Sequence, residues 1–168
     1  MIDEMNIQEK KIWQLLETVS DPEVPVLSII DLGIVRNVEI DSSHKIKITI
    51  TPTYTGCPAM DVINMSIRMC LLENGFKNIE IKNVLSPAWT TDWMSEAGKQ
   101  KLKAYGIAPP NVSQQVCTPD LFQKEEAIQC PHCNSYHTQI ISRFGSTACK
   151  ALYKCNACME PFDYFKCH

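Results

Sequence analysis

Two short cysteine pairs constrain this chain more than anything else in it. Cys130-Pro-His-Cys133 and Cys155-Asn-Ala-Cys158 are CxxC knuckles separated by residues 134–154. A CxxC turn aims two sulfurs at one point, and two such turns complete a tetrahedron of thiolates that is closed to water. The spacing predicts a metal-clamped zinc ribbon over residues 128–168, with strands near 136–141 and 150–154. A segment of about 40 residues with few apolar side chains buries too little surface to fold unaided, so a metal is what it needs. Structural Zn2+ is the expected cofactor, and a rubredoxin-like iron site, which uses the same four sulfurs, is the rival. Iron knuckles usually carry glycine after the second cysteine, whereas Asn134 and Met159 stand there. Asparagine tolerates the left-handed backbone, and methionine fits it less well. Of the nine cysteines, Cys149 and Cys167 are surplus to the ribbon, and either is a candidate extra ligand. His132, His137 and His168 read as surface residues, because four thiolates already fill the site.

The rest of the chain reads as a compact α+β domain. Ile12, Leu15, Leu16 and Val19 recur at helical spacing and predict a helix over 7–19, ended at Asp21-Pro22. Residues 34–40 and 45–51 alternate as strands around the turn residues Asp41-Ser42-Ser43-His44. Pro58 and Gly75 bracket a helix over 58–74. A third strand spans 78–85, and a helix over 93–105 closes before Gly106. The order is α-β-β-α-β-α around a small mixed sheet, followed by the ribbon. The expected divisions are a domain over 1–107, a polar linker over 108–127 that holds Cys117, and the ribbon over 128–168. Cys70 falls inside the second helix as a core residue, and Trp89 and Trp93 read as core or interface anchors.

Composition narrows the function classes. The net charge is −3, which disfavours broad attraction to a phosphate backbone. Within the ribbon, Arg143, Lys150, Lys154 and Lys166 face Glu160 and Asp163, and zinc with four thiolates adds about two negative charges. The sum near zero favours protein docking over nucleic-acid binding. The opening residues MIDEMNIQEK hold no apolar stretch for a secretory signal, and no run is long enough to span a membrane. A cytoplasmic setting, where thiols stay reduced, is the expectation.

A second cysteine draws attention in the segment Thr51-Pro-Thr-Tyr-Thr-Gly56-Cys57-Pro58, between a strand and a helix. With Pro58 at the first helical position, Cys57 is expected at the N-cap, where unpaired amides and the helix dipole favour a thiolate. Such a sulfur is a nucleophile or a soft-metal ligand. The other reading, a buried capping cysteine with no chemistry, stands beside it. Asp21, Glu23 and Asp31 lie in another loop that could meet the same end of the sheet.

Asp21-Pro22-Glu23, Asp31-Leu32-Gly33-Ile34-Val35, Thr51 and Gly56-Cys57-Pro58 together resemble the metal–sulfur cluster assembly family, in its SufT-like form, over about residues 7–107. Pro87-Ala-Trp-Thr-Thr-Asp-Trp-Met-Ser-Glu-Ala-Gly98, Tyr105-Gly-Ile-Ala-Pro-Pro110 and Phe144-Gly-Ser-Thr-Ala-Cys-Lys150 extend the likeness. With them, nearly the whole chain resembles the D-type (also called J-type) subunits of the ring-1,2-phenylacetyl-CoA epoxidase system. The resemblance implies aerobic phenylacetate catabolism, with oxygenase and reductase subunits as partners and a transient iron or iron–sulfur cluster as cargo. It implies that Cys57 is the functional residue, with Asp21, Glu23 and Thr51 as lesser candidates. The resemblance implies an accessory rather than a catalytic role, and the sequence has no Glu-x-x-His pair for a di-iron site and no GxGxxG for a flavin or nicotinamide. The competing expectation is a structural or regulatory docking subunit without metal transfer.

Overall fold

The computed structural model describes residues 7–110 and 128–166. Cys117, Cys167, His168 and most of the expected linker lie outside the described residues. The chain divides into two units between Trp89 and Thr90, and each is described by itself.

In the first unit, α1 (Ile7–Leu16) buries Ile12 and Leu16. It stops earlier than the periodicity predicts. The Thr18 hydroxyl donates to the Leu15 carbonyl at 2.7 Å, and the chain continues in turns to Asp21. Strands β1 (Val35–Ile40) and β2 (Ile46–Ile50) pair antiparallel, and β2 pairs in parallel with β3 (Ile79–Asn83). The sheet order is β1-β2-β3. A parallel pair needs a crossover, and α2 (Ala59–Glu73) supplies it, burying Ala59, Met60, Ile63, Ile67 and Leu71. The expected turn at one end of the sheet is present: Asp41 Oδ1 accepts from the Ser43 hydroxyl at 2.6 Å and the Ser43 and Lys45 amides. These bonds, the Ser43 hydroxyl foremost, hold the Asp41 carboxyl down to about 2. The opposite end matters more. Val35 pairs with Ile50, and the Thr51 amide donates to the Ile34 carbonyl at 2.9 Å. The loop entering β1, which carries Asp21, Glu23 and Asp31, therefore shares a sheet end with the loop leaving β2, which carries Cys57. Trp89 is buried as expected, and its Nε1 donates to the Leu32 carbonyl at 2.8 Å.

The second unit begins with a 3-10 turn (Thr91–Trp93) and α3 (Glu96–Ala104), whose first turn is capped by the Ser95 hydroxyl accepting from the Gly98 amide at 2.9 Å. Met94 is extended between them, so the single helix expected over 93–105 is split. A four-stranded sheet follows, in the order β4-β7-β6-β5. Its strands are β4 (Ile107–Ala108), β5 (Thr138–Ser142), β6 (Lys150–Cys155) and β7 (Pro161–Phe165). One feature here goes beyond the sequence reading. β4 pairs in parallel with Asp163–Tyr164 of β7, so α3 and β4 fall in the same compact unit as the ribbon strands. A two-residue strand carries no alternation by which to find it. The core of this sheet joins Ala108, Ile128, Ala151, Phe162 and Tyr164 to the ligand-type residues Cys130 and Cys155. The Tyr153 ring stacks on Phe162 at 5.9 Å and meets Tyr164 edge-on at 5.7 Å.

Candidate metal–thiolate sites

Gly56, at φ +81°, turns the chain into Cys57. The Cys57 amide donates to the Tyr54 carbonyl, and its own carbonyl accepts from the Met60 amide, both at 3.3 Å. Pro58, at φ −68° and ψ −20°, is the N-cap, and the helix opens at Ala59. Cys57 thus lies one residue before the cap, not on it. The expected thiolate is corrected in direction too. Burial pushes the half-buried thiol up; a bond from the Ala59 amide and one from Tyr54 oppose this, and the negative charges of Glu23 and Asp21 add to the rise. The helix end is outweighed because a buried anion loses hydration and faces two carboxylates. The metal-free thiol is therefore expected to alkylate more slowly at pH 8 than free cysteine, with its rate midpoint displaced to higher pH. A pH series of iodoacetamide labelling at Cys57, followed by peptide mass spectrometry, checks this.

Asp21 and Glu23 lie in the loop that shares this sheet end, and their negative charges add the smallest part of the rise. Asp21 is buried, and its Oδ1 accepts the Glu23 and Val24 amides at 2.8 Å each. Asp31 is engaged in its own turn: Oδ2 accepts the Ser28 hydroxyl at 3.0 Å and the Ser28 amide at 3.2 Å. Thr51, at the exit of β2, is 1% exposed. Among the described residues its hydroxyl has no hydrogen-bond partner. An orphaned buried hydroxyl costs about 1–3 kcal/mol. Tyr54 also acts on Cys57 and is absent from the sequence reading; its place three residues before the cysteine in one tight loop is the signal that could have found it.

The four ribbon sulfurs lie within 4.8 Å of one another. Cys130 to Cys158 is 3.8 Å and Cys133 to Cys155 is 3.5 Å. A tetrahedral zinc ion with Zn–S of about 2.3 Å requires sulfurs about 3.8 Å apart, so the donor set fits the ion. Backbone bonds shape both knuckles: the Asn134 amide reaches the Cys130 carbonyl and the Cys155 amide reaches the Glu160 carbonyl, each at 2.9 Å. The amides of Cys158 and Ala157 also face the Cys155 sulfur and favour its thiolate. The residues after the knuckles are both left-handed, Asn134 at φ 61° and Met159 at φ 69°. For methionine this geometry costs roughly 1–2 kcal/mol. Met159→Gly is expected to stabilise the zinc-loaded protein by about 1 kcal/mol, read as a higher Tm. Cys149 is buried with Thr147 Oγ1 at 3.0 Å from its sulfur, and it stands outside the four-sulfur group. Cys70 is half-buried between helices, its thiol directed at the Leu15 carbonyl of α1 at 3.5 Å.

Residues 9–75 match the family profile described as iron-sulfur cluster assembly protein, and residues 114–166 match that of the PaaD zinc beta ribbon domain. The chain is 49% identical over 160 residues to an Escherichia coli (strain K12) protein named as the D-type subunit of 1,2-phenylacetyl-CoA epoxidase, covering 95% of this chain and 93% of that one. The chain belongs to the D-type family of phenylacetyl-CoA epoxidase subunits. Its first unit has relatives of its own. A Porphyromonas gingivalis protein named as an Fe-S protein maturation auxiliary factor is 37% identical over 56% of this chain and 90% of its own. A solved structure of the DUF59 domain from Bacillus anthracis is similar at 34% identity and TM-score 0.53, covering 56% of this chain and 90% of that one. This D-type chain therefore joins a cluster-assembly-type domain to a zinc-ribbon domain. None of its described helices is long and apolar enough to cross a membrane.

Proposed function

We propose that this chain is an accessory maturation subunit of a cytoplasmic phenylacetyl-CoA epoxidase, in which Cys57 holds iron or an iron–sulfur cluster in transit to the oxygenase or its reductase. The supporting observation is that the loop carrying Asp21 and Glu23 shares one sheet end with the loop carrying Cys57, where both negative charges bear on the thiol. Two carboxylates that raise a thiol's pKa by repelling its anion attract a cation equally well. Where a soft metal ion arrives, its charge reverses their effect and the thiol gives up its proton to bind. The free sulfur is thus kept protonated and unreactive, while the metal-bound sulfur is favoured. Thr51 adds a buried hydroxyl oxygen at the same sheet end. This arrangement suits holding and releasing an ion better than nucleophilic chemistry. In the ribbon, Cys130, Cys133, Cys155 and Cys158 hold Zn2+ as a structural ion, which supplies folding energy and no reaction.

The test is deletion of the gene, followed by metal and sulfide analysis of the oxygenase and reductase purified from the deleted strain. The proposal expects one of the two to be under-loaded and to recover on complementation with the parent gene. Full loading of both proteins in the deletion strain would refute it.

A further inference from the structure

The Phe144–Lys150 segment carries none of the chemistry above, yet its loop is tightly built. Phe144 is 68% exposed and Ile141 52%. A break in the β5–β6 register between Ile140 and Ser142 interrupts the pairing at Ile141. The backbone that carries this exposed ring is held by several bonds. The Ser142 hydroxyl donates to the Phe144 carbonyl at 2.8 Å and accepts its amide at 3.2 Å. Gly145 ties the loop back through its amide to the Lys150 carbonyl at 2.8 Å. A side chain on Gly145 would meet Asp163 Oδ1 at 3.0 Å and Lys150 Cβ at 3.1 Å. The Lys166 ammonium sits 4.4 Å from the Phe144 ring centre and donates to the Arg143 carbonyl. A loop backbone held by this many contacts has already lost part of the freedom that binding would otherwise remove.

The charge around the ring is mainly positive, with Asp163 the one carboxylate beside the loop among the described residues, and it faces Lys150. From Asn134 to Met159 the chain has no carboxylate, while Arg143, Lys150 and Lys154 lie in that stretch. Lys150 is buried and directed inward, to Ser146 at 3.1 Å and Asp163 at 4.0 Å. Arg143 and Lys166 are left beside the exposed ring. Nucleic acid is the poorer match for this patch, because the whole chain carries −3 and a zinc tetrathiolate adds about two more negative charges.

We infer that Phe144, with Ile141, Arg143 and Lys166, forms a prebuilt docking knob that enters an apolar pocket rimmed by carboxylates on a protein partner. The inference rests on the accessory-subunit reading for its choice of partner. A central aromatic anchor with charged neighbours at the rim is the usual make-up of an interface hot spot.

The probes are the purified oxygenase and the purified reductase of the epoxidase system, titrated with the full zinc-loaded chain. One of them is expected to bind. Phe144→Ala should weaken that binding by more than about tenfold, and Arg143→Glu should slow association and reduce its salt dependence. Both side chains are outside the core, so each variant should keep its zinc stoichiometry and Tm. Gly145→Ala, which displaces the loop without touching the ring, should also weaken binding. Affinities within about twofold of the parent for Phe144→Ala and Arg143→Glu would overturn the inference. So would failure of the parent to bind either probe, or binding by this loop to a DNA oligonucleotide in their place. A Cys57→Ser chain tested alongside separates the two ideas: it should dock like the parent whether or not metal is transferred.

Discussion

Replacing Cys57 with serine is expected to lower iron or cluster retention by this chain more than about tenfold and to leave its client under-loaded, with the fold intact. A hydroxyl is a hard, far weaker ligand for a soft ion than a thiolate, and even a lost supporting contact around a metal commonly costs about 10–100-fold in affinity. The fold should tolerate the change because Cys57 is half-buried and a serine hydroxyl can accept the Ala59 amide in place of the sulfur. Circular dichroism and Tm should match the parent, while metal content and growth on phenylacetate fall. Asp21→Asn and Glu23→Gln should act in the same direction and more weakly. Each removes one of the negative charges that raise the thiol, so each should lower the pKa of Cys57 while also loosening a bound cation. That opposed pair of effects is what a merely structural role for the carboxylates would not produce. Asp21 also accepts two backbone amides, so Glu23→Gln is the cleaner variant.

The second large effect is expected at the ribbon. Stripping the metal with a chelator, or replacing Cys155 with serine, should unfold the β5–β6–β7 sheet rather than merely loosen it. Apparent binding energies of structural zinc sites are about 10–16 kcal/mol, comparable to or larger than the whole stability of an ordinary domain. Cys130 and Cys155 are completely buried and belong to the same core as Tyr153, Phe162 and Tyr164, so loss of the metal removes the centre of that core. Near-ultraviolet circular dichroism from the packed tyrosines should collapse. Because thiolates must lose their protons to bind, the metal should be held less tightly as pH falls. The first unit, whose core of Ile48, Ile50, Ile63 and Ile67 contains none of these sulfurs, should keep its amide protection from hydrogen exchange.

Much of this architecture is in plain view in the chain. The alternation through Lys45–Ile50, the proline and glycine that bracket α2, and the paired knuckles are legible because each couples a short-range pattern to a short-range structure. What stays hidden depends on partners distant in sequence. Ile107–Ala108 becomes a strand only because β7 is there to receive it, and no two-residue pattern announces that. The state of Cys57 escapes the sequence for a similar reason. Its place beside a helix end is local and visible, but the burial and the two carboxylates that outweigh it come from the fold. Met159 shows the converse: a residue poorly suited to the left-handed backbone adopts it at φ 69°, because the knuckle geometry dictates that position.

The most direct measurement is metal analysis of the full chain purified without oxygen from iron-replete cells, beside its Cys57→Ser variant. The account predicts zinc at one ion per chain in both proteins, with iron present in the parent and lost from the variant. Equal iron in the two, or none in either under these conditions, would contradict the claim that this sulfur carries the cargo.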